Sequence, residues 1–278
     1  MTSIWAIADT HLSFGKPKNL ARFGERWIDH PNRLGEAWRA RIQPDDVVLI
    51  PGDVSWADKP AKALPDLEWL AALPGQKVLL RGNHDHWWRS IDEVRKVIAP
   101  FGFYALEGDS ITLGGAVICG AMGYISPNDP YFETDSRQDR FPRELARLEA
   151  ALIDGAARRV DGQPFIVLLH YPPFTSDAQP TVFVDMLARY QPTLCLYGHL
   201  HRSHEWDVVV NGVFRGTHYR LIASDYLNMT PICVVDNDNR LVEPEVTVTA
   251  AVNEIYPLLT VNEATENTHG TGILSSSE

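Results

Sequence analysis

Five short stretches of this chain, residues 3–8, 47–50, 78–80, 166–169 and 193–197, are runs of Ile, Val, Leu and small residues that stop abruptly at polar or turn residues. They do not alternate apolar with polar, so strands built from them must be covered on both faces. That requirement rules out an open sheet with one wet face. Between the runs lie stretches of helical periodicity. The clearest covers residues 141–156, where Phe141, Leu145, Leu148, Leu152, Ile153 and Ala156 recur on one side and Pro142 suits a first turn. Residues 59–73 and 87–99 are further helix candidates. Strand, helix and strand in repetition predict an α/β fold. Residues 103–120 and 205–235 depart from this grammar, with short strand-like pieces around Gly114-Gly115 and Asn211-Gly212 that read as hairpins of a second sheet.

Length and charge narrow the field. A chain of 278 residues fits one or two domains. The expected division is a folded body over residues 1–259 and a flexible acidic tail over 260–278, which is rich in Asn, Thr, Ser, Gly and Glu. No stretch approaches the roughly 20 uncharged apolar residues of a membrane helix. The first ten residues carry no basic leader segment, so the expectation is a soluble cytoplasmic protein without membrane contact. Net charge is −11, and the stretch up to residue 240 sets 25 basic residues against 30 acidic ones. Binding a long phosphate backbone needs the opposite sign, which disfavours long nucleic acid as a partner. A bound divalent ion reverses that sign locally. Cys119, Cys195 and Cys233 are odd in number and sit in apolar runs, so they read as small buried residues rather than a disulfide framework or zinc knuckle.

The residues at the end of each run carry the chemistry. The first run leads into Asp9-Thr10-His11, the second into Pro51-Gly52-Asp53 and the third into Arg81-Gly82-Asn83-His84-Asp85. The fourth ends in His170 and the fifth in Gly198-His199-Leu200-His201. Each alone is an ordinary turn, cap or core histidine. Together they deliver Asp, Asn and His to the C-terminal ends of five strands, where α/β sheets present their sites. Oxygen and imidazole donors without thiolate suit Mn, Fe, Zn or Ni, with Mn favoured. Asp9, His11, Asp53, Asn83, His170, His199 and His201 exceed the needs of one tetrahedral ion, so two divalent ions sharing a carboxylate are expected.

These motifs resemble the signature of the calcineurin-like metallophosphoesterase superfamily, in the order Asp-x-His, Gly-Asp, Gly-Asn-His-Asp, His and Gly-His-x-His over residues 9–201. The Ile-Pro-Gly-Asp-Val-Ser-Trp and Arg-Gly-Asn-His-Asp-His-Trp-Trp segments look like a bacterial branch of phosphohydrolases. The resemblance implies a four-layer α/β/β/α sandwich with a dinuclear site at its edge. It implies that Asp9, His11, Asp53 and His201 hold one ion. Asp53, Asn83, His170 and His199 would hold the other, with Asp53 bridging. There is one departure. Trp56-Ala57 stand where the protein-phosphatase branch carries an Asp-Arg pair, which argues against protein phosphatase activity.

The activity expected is hydrolysis of a small phosphorylated substrate by a hydroxide held between the two ions. His84, beside the ligand Asn83, is the expected catalytic proton donor, with Asp85 either orienting it or capping a helix that opens at Trp87. The competing enzymatic reading is a phosphodiesterase or nuclease on cyclic nucleotides or short nucleic acid. A catalytically inactive metal-binding module is the reading from another class. Arg81 and Arg202 could touch phosphate or form surface ion pairs. Trp56, Trp87 and Trp88 form either core or a stacking wall, and the basic stretch over residues 13–33 either a substrate-facing flap or a solvated loop. His86, His204 and His218 fall outside the pattern.

Overall fold

The computed structural model describes residues 2–242. The expected boundary at residue 259 and the tail over 260–278 lie outside them. In chain order the elements are β1 (Ile4–Ala6), α1 (His30–Arg39), β2 (Val47–Pro51), α2 (Pro60–Ala71), β3 (Gln76–Leu80), α3 (Ile91–Ile98) and β4 (Tyr104–Leu106). Then come β5 (Asp109–Leu113), β6 (Ala116–Ala121), α4 (Arg140–Arg158), β7 (Phe165–Leu169), α5 (Val182–Tyr190), β8 (Leu194–Tyr197), a short α6 (Ser203–Trp206), β9 (Gly212–Phe214), β10 (Thr217–Leu221) and β11 (Ile232–Val235).

The strands form two mixed sheets, ordered β11-β1-β2-β3-β4 and β5-β6-β7-β8-β10-β9. Within each, four neighbouring strands are parallel (β1 to β4 and β6, β7, β8, β10) and the remaining ones are antiparallel edges. Side-chain alternation explains the unbroken apolar runs. Ile4, Ala6, Val47, Leu49, Val78 and Leu80 point from the first sheet into a core shared with Ile118, Ile166, Leu168, Leu194 and Leu196 of the second. Their sequence neighbours Val48, Ile50 and Leu79 point the other way, against Leu34, Trp38, Leu67, Leu70 and Val94 of α1 to α3. On the far side Cys119, Val167, Leu169 and Cys195 pack on Leu148, Leu152, Phe183 and Leu187 of α4 and α5. The result is the expected four-layer α/β/β/α sandwich, and every one of these side chains is essentially out of water. Cys119 and Cys195 are buried free thiols, as their apolar setting predicts, whereas Cys233, on the edge strand β11, is only half-buried. Among the described residues no helix is long and apolar enough to cross a membrane.

Three local expectations need correction. The third helix opens at Ile91 rather than Trp87, because Ser90 caps it by accepting from the Glu93 amide. Trp87 and Trp88 precede it and are fully buried, their indoles donating to Asp85 and Glu107, so they build core and no stacking wall. The regions over 103–120 and 205–235 do not belong wholly to the second sheet. β4 extends the first sheet alongside β3, and β11 closes its other edge against β1. Gly114-Gly115 is the β5–β6 turn, both residues with positive φ. The β9–β10 turn, however, is Arg215-Gly216, while Gly212 starts β9.

Candidate metal centre

The two sheets are laced together at one edge of the sandwich. The Ala8 amide donates to Ile222 O and the Ser224 amide to Ala8 O, which joins the end of β1 to the end of β10 across the inter-sheet core. Asp9 N donates to Gly52 O and His11 N to Asp53 O, which ties the loop after β1 to the loop after β2. Gly198 N donates to His170 O, linking the ends of β7 and β8. Asp9, His11, Asp53 and His199 all adopt left-handed backbone conformations, with φ of 58°, 45°, 51° and 75°. Such residues cost roughly 1–2 kcal/mol each when they are not glycine, a cost the buried sandwich offsets.

Glycines make room for the acidic groups. A Cβ on Gly82 would overlap the Asp53 carboxylate, and one on Gly198 would overlap that of Asp9. Gly52, at φ 96°, brings the chain against the His170 ring. Each carboxylate spends one oxygen on the backbone. Asp53 Oδ1 accepts from the His84 amide at 2.8 Å, and Asp9 Oδ2 from the His199 amide at 3.0 Å. The other oxygens, Asp9 Oδ1 and Asp53 Oδ2, are buried without a hydrogen-bond partner. Imidazole nitrogens surround them. His201 Nε2 lies 3.6 Å and His170 Nδ1 3.7 Å from Asp9 Oδ1, while His11 Nε2 and His170 Nε2 each lie 3.6 Å from Asp53 Oδ2.

Asn83 and His199 complete one side of this cluster. Asn83 Oδ1 is 2.7 Å from His170 Nε2 and 2.9 Å from His199 Nδ1. His170 Nδ1 faces the Pro51 carbonyl at 3.2 Å, so in a neutral ring Nδ1 donates there and Nε2 presents a lone pair to the Asn83 oxygen. Lone pairs facing one another, beside two unpartnered carboxylate oxygens, form an arrangement that cations relieve. Two groups, Asp9 with His11 and His201 and Asp9 with Asp53 and His170, have donor atoms close enough to share an ion. The donor set therefore fits a dinuclear metal site. The seven residues expected as ligands all converge here.

The electrostatics agree with this. Burial first, and neighbouring imidazoles second, hold His11 and His199 well below the usual histidine range, and burial pushes His170 down to about 3. These rings are neutral, as metal ligands must be. Burial also holds the Asp53 carboxyl well above its ordinary range, with Asp85 and Asp9 adding to the effect. His201 goes the other way. Burial opposes its protonation, yet the Asp9 and Asp225 carboxylates hold it well above the ordinary value.

Asp225 was missed in the sequence. Its Oδ1 lies 2.9 Å from His201 Nδ1, which keeps a proton on Nδ1 whether or not the ring is charged and aims Nε2 at Asp9. A signal existed, because Ile222-Ala223-Ser224-Asp225 repeats the strand-then-acid pattern of the other motifs. It was hidden by the polar residues of Thr217–Leu221 ahead of it. Asp85 neither orients His84 nor caps a helix. It is fully buried and accepts from the Ser55 and Gly82 amides and the Trp87 indole, which holds the second and third motif loops together.

Around this centre lie aromatic rings. Trp56 stacks on His11 at 4.8 Å between centroids and packs on His84 at 4.3 Å. Trp27 sets its edge against His11 and His201. The stretch over residues 13–33 thus closes over the site, and Lys18 Nζ lies 2.8 Å from the centre of the Trp56 ring. Arg202, His86 and His204 are exposed. Burial, then Lys18, push His84 down to about 4.

Comparison with known proteins places this geometry. The curated relatives matched include the Gene 66 protein of Mycobacterium phage D29, 36% identical over 87 residues, and that of phage L5, 29% identical over 85 residues. Each match covers 31% of this chain and only 41% of the phage protein. Among solved structures, the phosphopantetheinyl hydrolase of Mycobacterium tuberculosis aligns over 80% of this chain and 89% of its own, with a TM-score of 0.52 and 15% identity, a likeness of fold alone. A protein of unknown function from Aquifex aeolicus aligns over 84% of this chain and 95% of its own at a TM-score of 0.46 and 18% identity. The sequence profile of the calcineurin-like phosphoesterases matches residues 2–203, a span that contains every strand-end residue expected as a ligand, and the chain belongs to that family.

Proposed function

We propose that this protein is a metal-dependent phosphoesterase acting on a small phosphorylated substrate. The observation that carries the reading is the pair of buried carboxylate oxygens, Asp9 Oδ1 and Asp53 Oδ2, left without hydrogen-bond partners and ringed by imidazole nitrogens. In this reading Asp9, His11, Asp53 and His201 hold one divalent ion, and Asp53, Asn83, His170 and His199 hold the other. Bound there, two ions supply Lewis acidity toward a phosphoryl group and activate water near neutral pH.

The chain's own residues do the rest. When the His201 ring is neutral, Asp225 holds its proton on Nδ1 and leaves Nε2 free. The backbone amides of His84 and His199 fix the two carboxylates in rotation, so each offers its second oxygen inward. Trp56 and Trp27 keep water from the back of His11. Lys18, held over Trp56, supplies the positive charge that the family's protein-phosphatase branch draws from the arginine absent here, and contacts a phosphoryl oxygen. His84 gives the leaving oxygen its proton. Its ring is neutral in the free site, so it first takes up a proton from solvent, and the negative charge of an arriving phosphoryl group is what makes it basic enough to carry that proton.

The test is elemental analysis together with a metal-supplemented screen using Mn, Fe, Zn and Ni against p-nitrophenyl phosphate and its bis ester. Two ions per chain with monoester turnover is the expected result. Turnover of the diester alone would move the assignment to a phosphodiesterase, and no turnover with any metal would leave a metal-binding module.

A further inference from the structure

A cavity of about 170 Å³ opens directly beside the centre, on the side of His199. Its position is set by the ends of β7 and β8. Tyr171, next to His170, lays its ring 4.2 Å from that of His199, and both rings line the cavity. His199 Nδ1 meanwhile faces Asn83 within the cluster. One histidine therefore forms both the edge of the metal centre and the wall of the cavity. A group esterified to a phosphoryl held at the centre would have the cavity as its neighbour across His199.

The walls are apolar and fixed. Phe174, Val209 and Val210 are buried, with Ile125 and Leu200 beside them. The Val210 carbonyl accepts from the Tyr197 hydroxyl at 2.7 Å, which holds that wall in place. On the opposite side the Phe174–Pro180 bridge and the Thr181 hydroxyl, which donates to Pro173 O at 2.6 Å, hold the loop after β7. Asp129 pins a second loop to it by accepting from the Ser176 and Tyr131 amides.

Charge excludes one class of ligand. No lysine or arginine lines the cavity among the described residues, while Asp129 and Glu205 do. Glu205 is turned toward the His201 and Arg202 amides, at 3.1 and 2.9 Å. A second phosphate placed here would meet two carboxylates and no cation. The volume sets the size, because a dry apolar cavity of about 150 Å³ admits a benzene ring.

We propose, on the phosphoesterase reading above, that this cavity receives the organic part of the substrate. The substrate class is then a phosphoester of a compact, uncharged apolar group, one ring or a short branched alkyl chain, rather than a nucleotide or polyphosphate.

The experiment is calorimetric binding of phosphonates, which the enzyme cannot hydrolyse, to the full Mn-loaded chain. Phenylphosphonate is compared with methylphosphonate and with the 5′-methylenephosphonate analogue of adenosine monophosphate, in the native protein and in two variants. Val209→Phe fills the cavity, and Val208→Trp, at its exposed rim, covers the mouth at a position tolerant of change. Burying most of a ring should make phenylphosphonate bind at least about tenfold tighter than methylphosphonate in the native protein. Both variants should cut that ratio below about threefold. Equal binding of the two phosphonates by the native protein, a phenyl preference that survives both variants, or tighter binding of the nucleotide would each overturn the proposal while leaving the phosphoesterase reading in place. Failure of both phosphonates to bind the Mn-loaded protein would overturn both readings.

Discussion

Replacing Asp53 with asparagine should make the metal-free protein more stable and the metal-loaded protein inactive. The two side chains have the same shape. In Asp53→Asn the amide oxygen keeps the hydrogen bond from the His84 amide, now 2.8 Å to Asp53 Oδ1. The new NH₂ takes the place of Oδ2, 3.6 Å from both His11 Nε2 and His170 Nε2, and offers them donors where the carboxylate offers none. A buried charge lacking a partner at one oxygen and crowded by Asp9 and Asp85 becomes a neutral group with partners. An unsatisfied buried polar atom costs about 1–3 kcal/mol, and about 1 kcal/mol moves the melting temperature of a body this size by ~2–4 °C. The metal-free variant should thus melt roughly 2–12 °C above the native protein.

Metal reverses the order. A free ion at about 100 times its Kd stabilises by ~2.7 kcal/mol, or ~5–10 °C, and that shift should appear in the native protein with Mn. Asp53→Asn, which removes the one carboxylate assigned to both ions, should show little or none of it and almost no turnover. Differential scanning calorimetry with and without chelator, alongside elemental analysis, reads all three quantities. A metal-free variant less stable than the native protein, with its Mn shift and two ions per chain intact, would refute the assignment of Asp53 as the shared ligand.

Other consequences can be checked separately. His84→Asn should keep both ions bound, because the backbone amide and not the ring meets Asp53; turnover of alkyl phosphates should fall by the roughly 10²–10⁴ typical of general-acid catalysis and that of p-nitrophenyl esters much less, and equal losses would reject the proton-donor role. Gly198→Ala should cost about 1–3 kcal/mol and weaken metal binding, since its Cβ would press on the Asp9 carboxylate and lie 2.7 Å from the Ala8 Cβ; an unchanged melting temperature would show that the loop gives way freely. Lys77 is buried against Trp38 and Phe103, and that burial pushes its ammonium down to about 8. Its folded pKa lies below the unfolded one, so the unfolded chain binds the extra proton between about pH 8 and 10.5 and native stability rises with pH across that window. Lys77→Met should then stabilise by about 1–2 kcal/mol at pH 7, after allowance for solvent screening and the lost bond to Leu73 O, and the gain should shrink as pH rises toward 10. A gain independent of pH would mean packing, not charge, is responsible.

Local chemistry explains which features could be read from the residues alone. Unbroken apolar runs such as Val-Val-Leu-Ile must be buried on both faces, so 47–50 and 166–169 implied strands covered on both sides, and the polar residues after them implied a strand-end site. All seven ligand candidates depended only on the residues directly after a run. Contacts between distant segments were another matter. Which strands share a sheet was decided by packing between layers, and β4 and β11, too short to declare a side, joined the first sheet because its edges were open to them. Asp85 looks like a capping residue until Ser55, Gly82 and Trp87 close around it. Asp225 reaches His201 across 24 residues, and Lys18 reaches Trp56 across a loop of no evident periodicity. The apolar cavity beside His199 is assembled from three loops, none of which reads as a pocket by itself. Hydrophobic periodicity and motif spacing are properties of a few consecutive residues, whereas a tautomer, a buried unpaired oxygen or a cavity exists only once remote segments exclude water together.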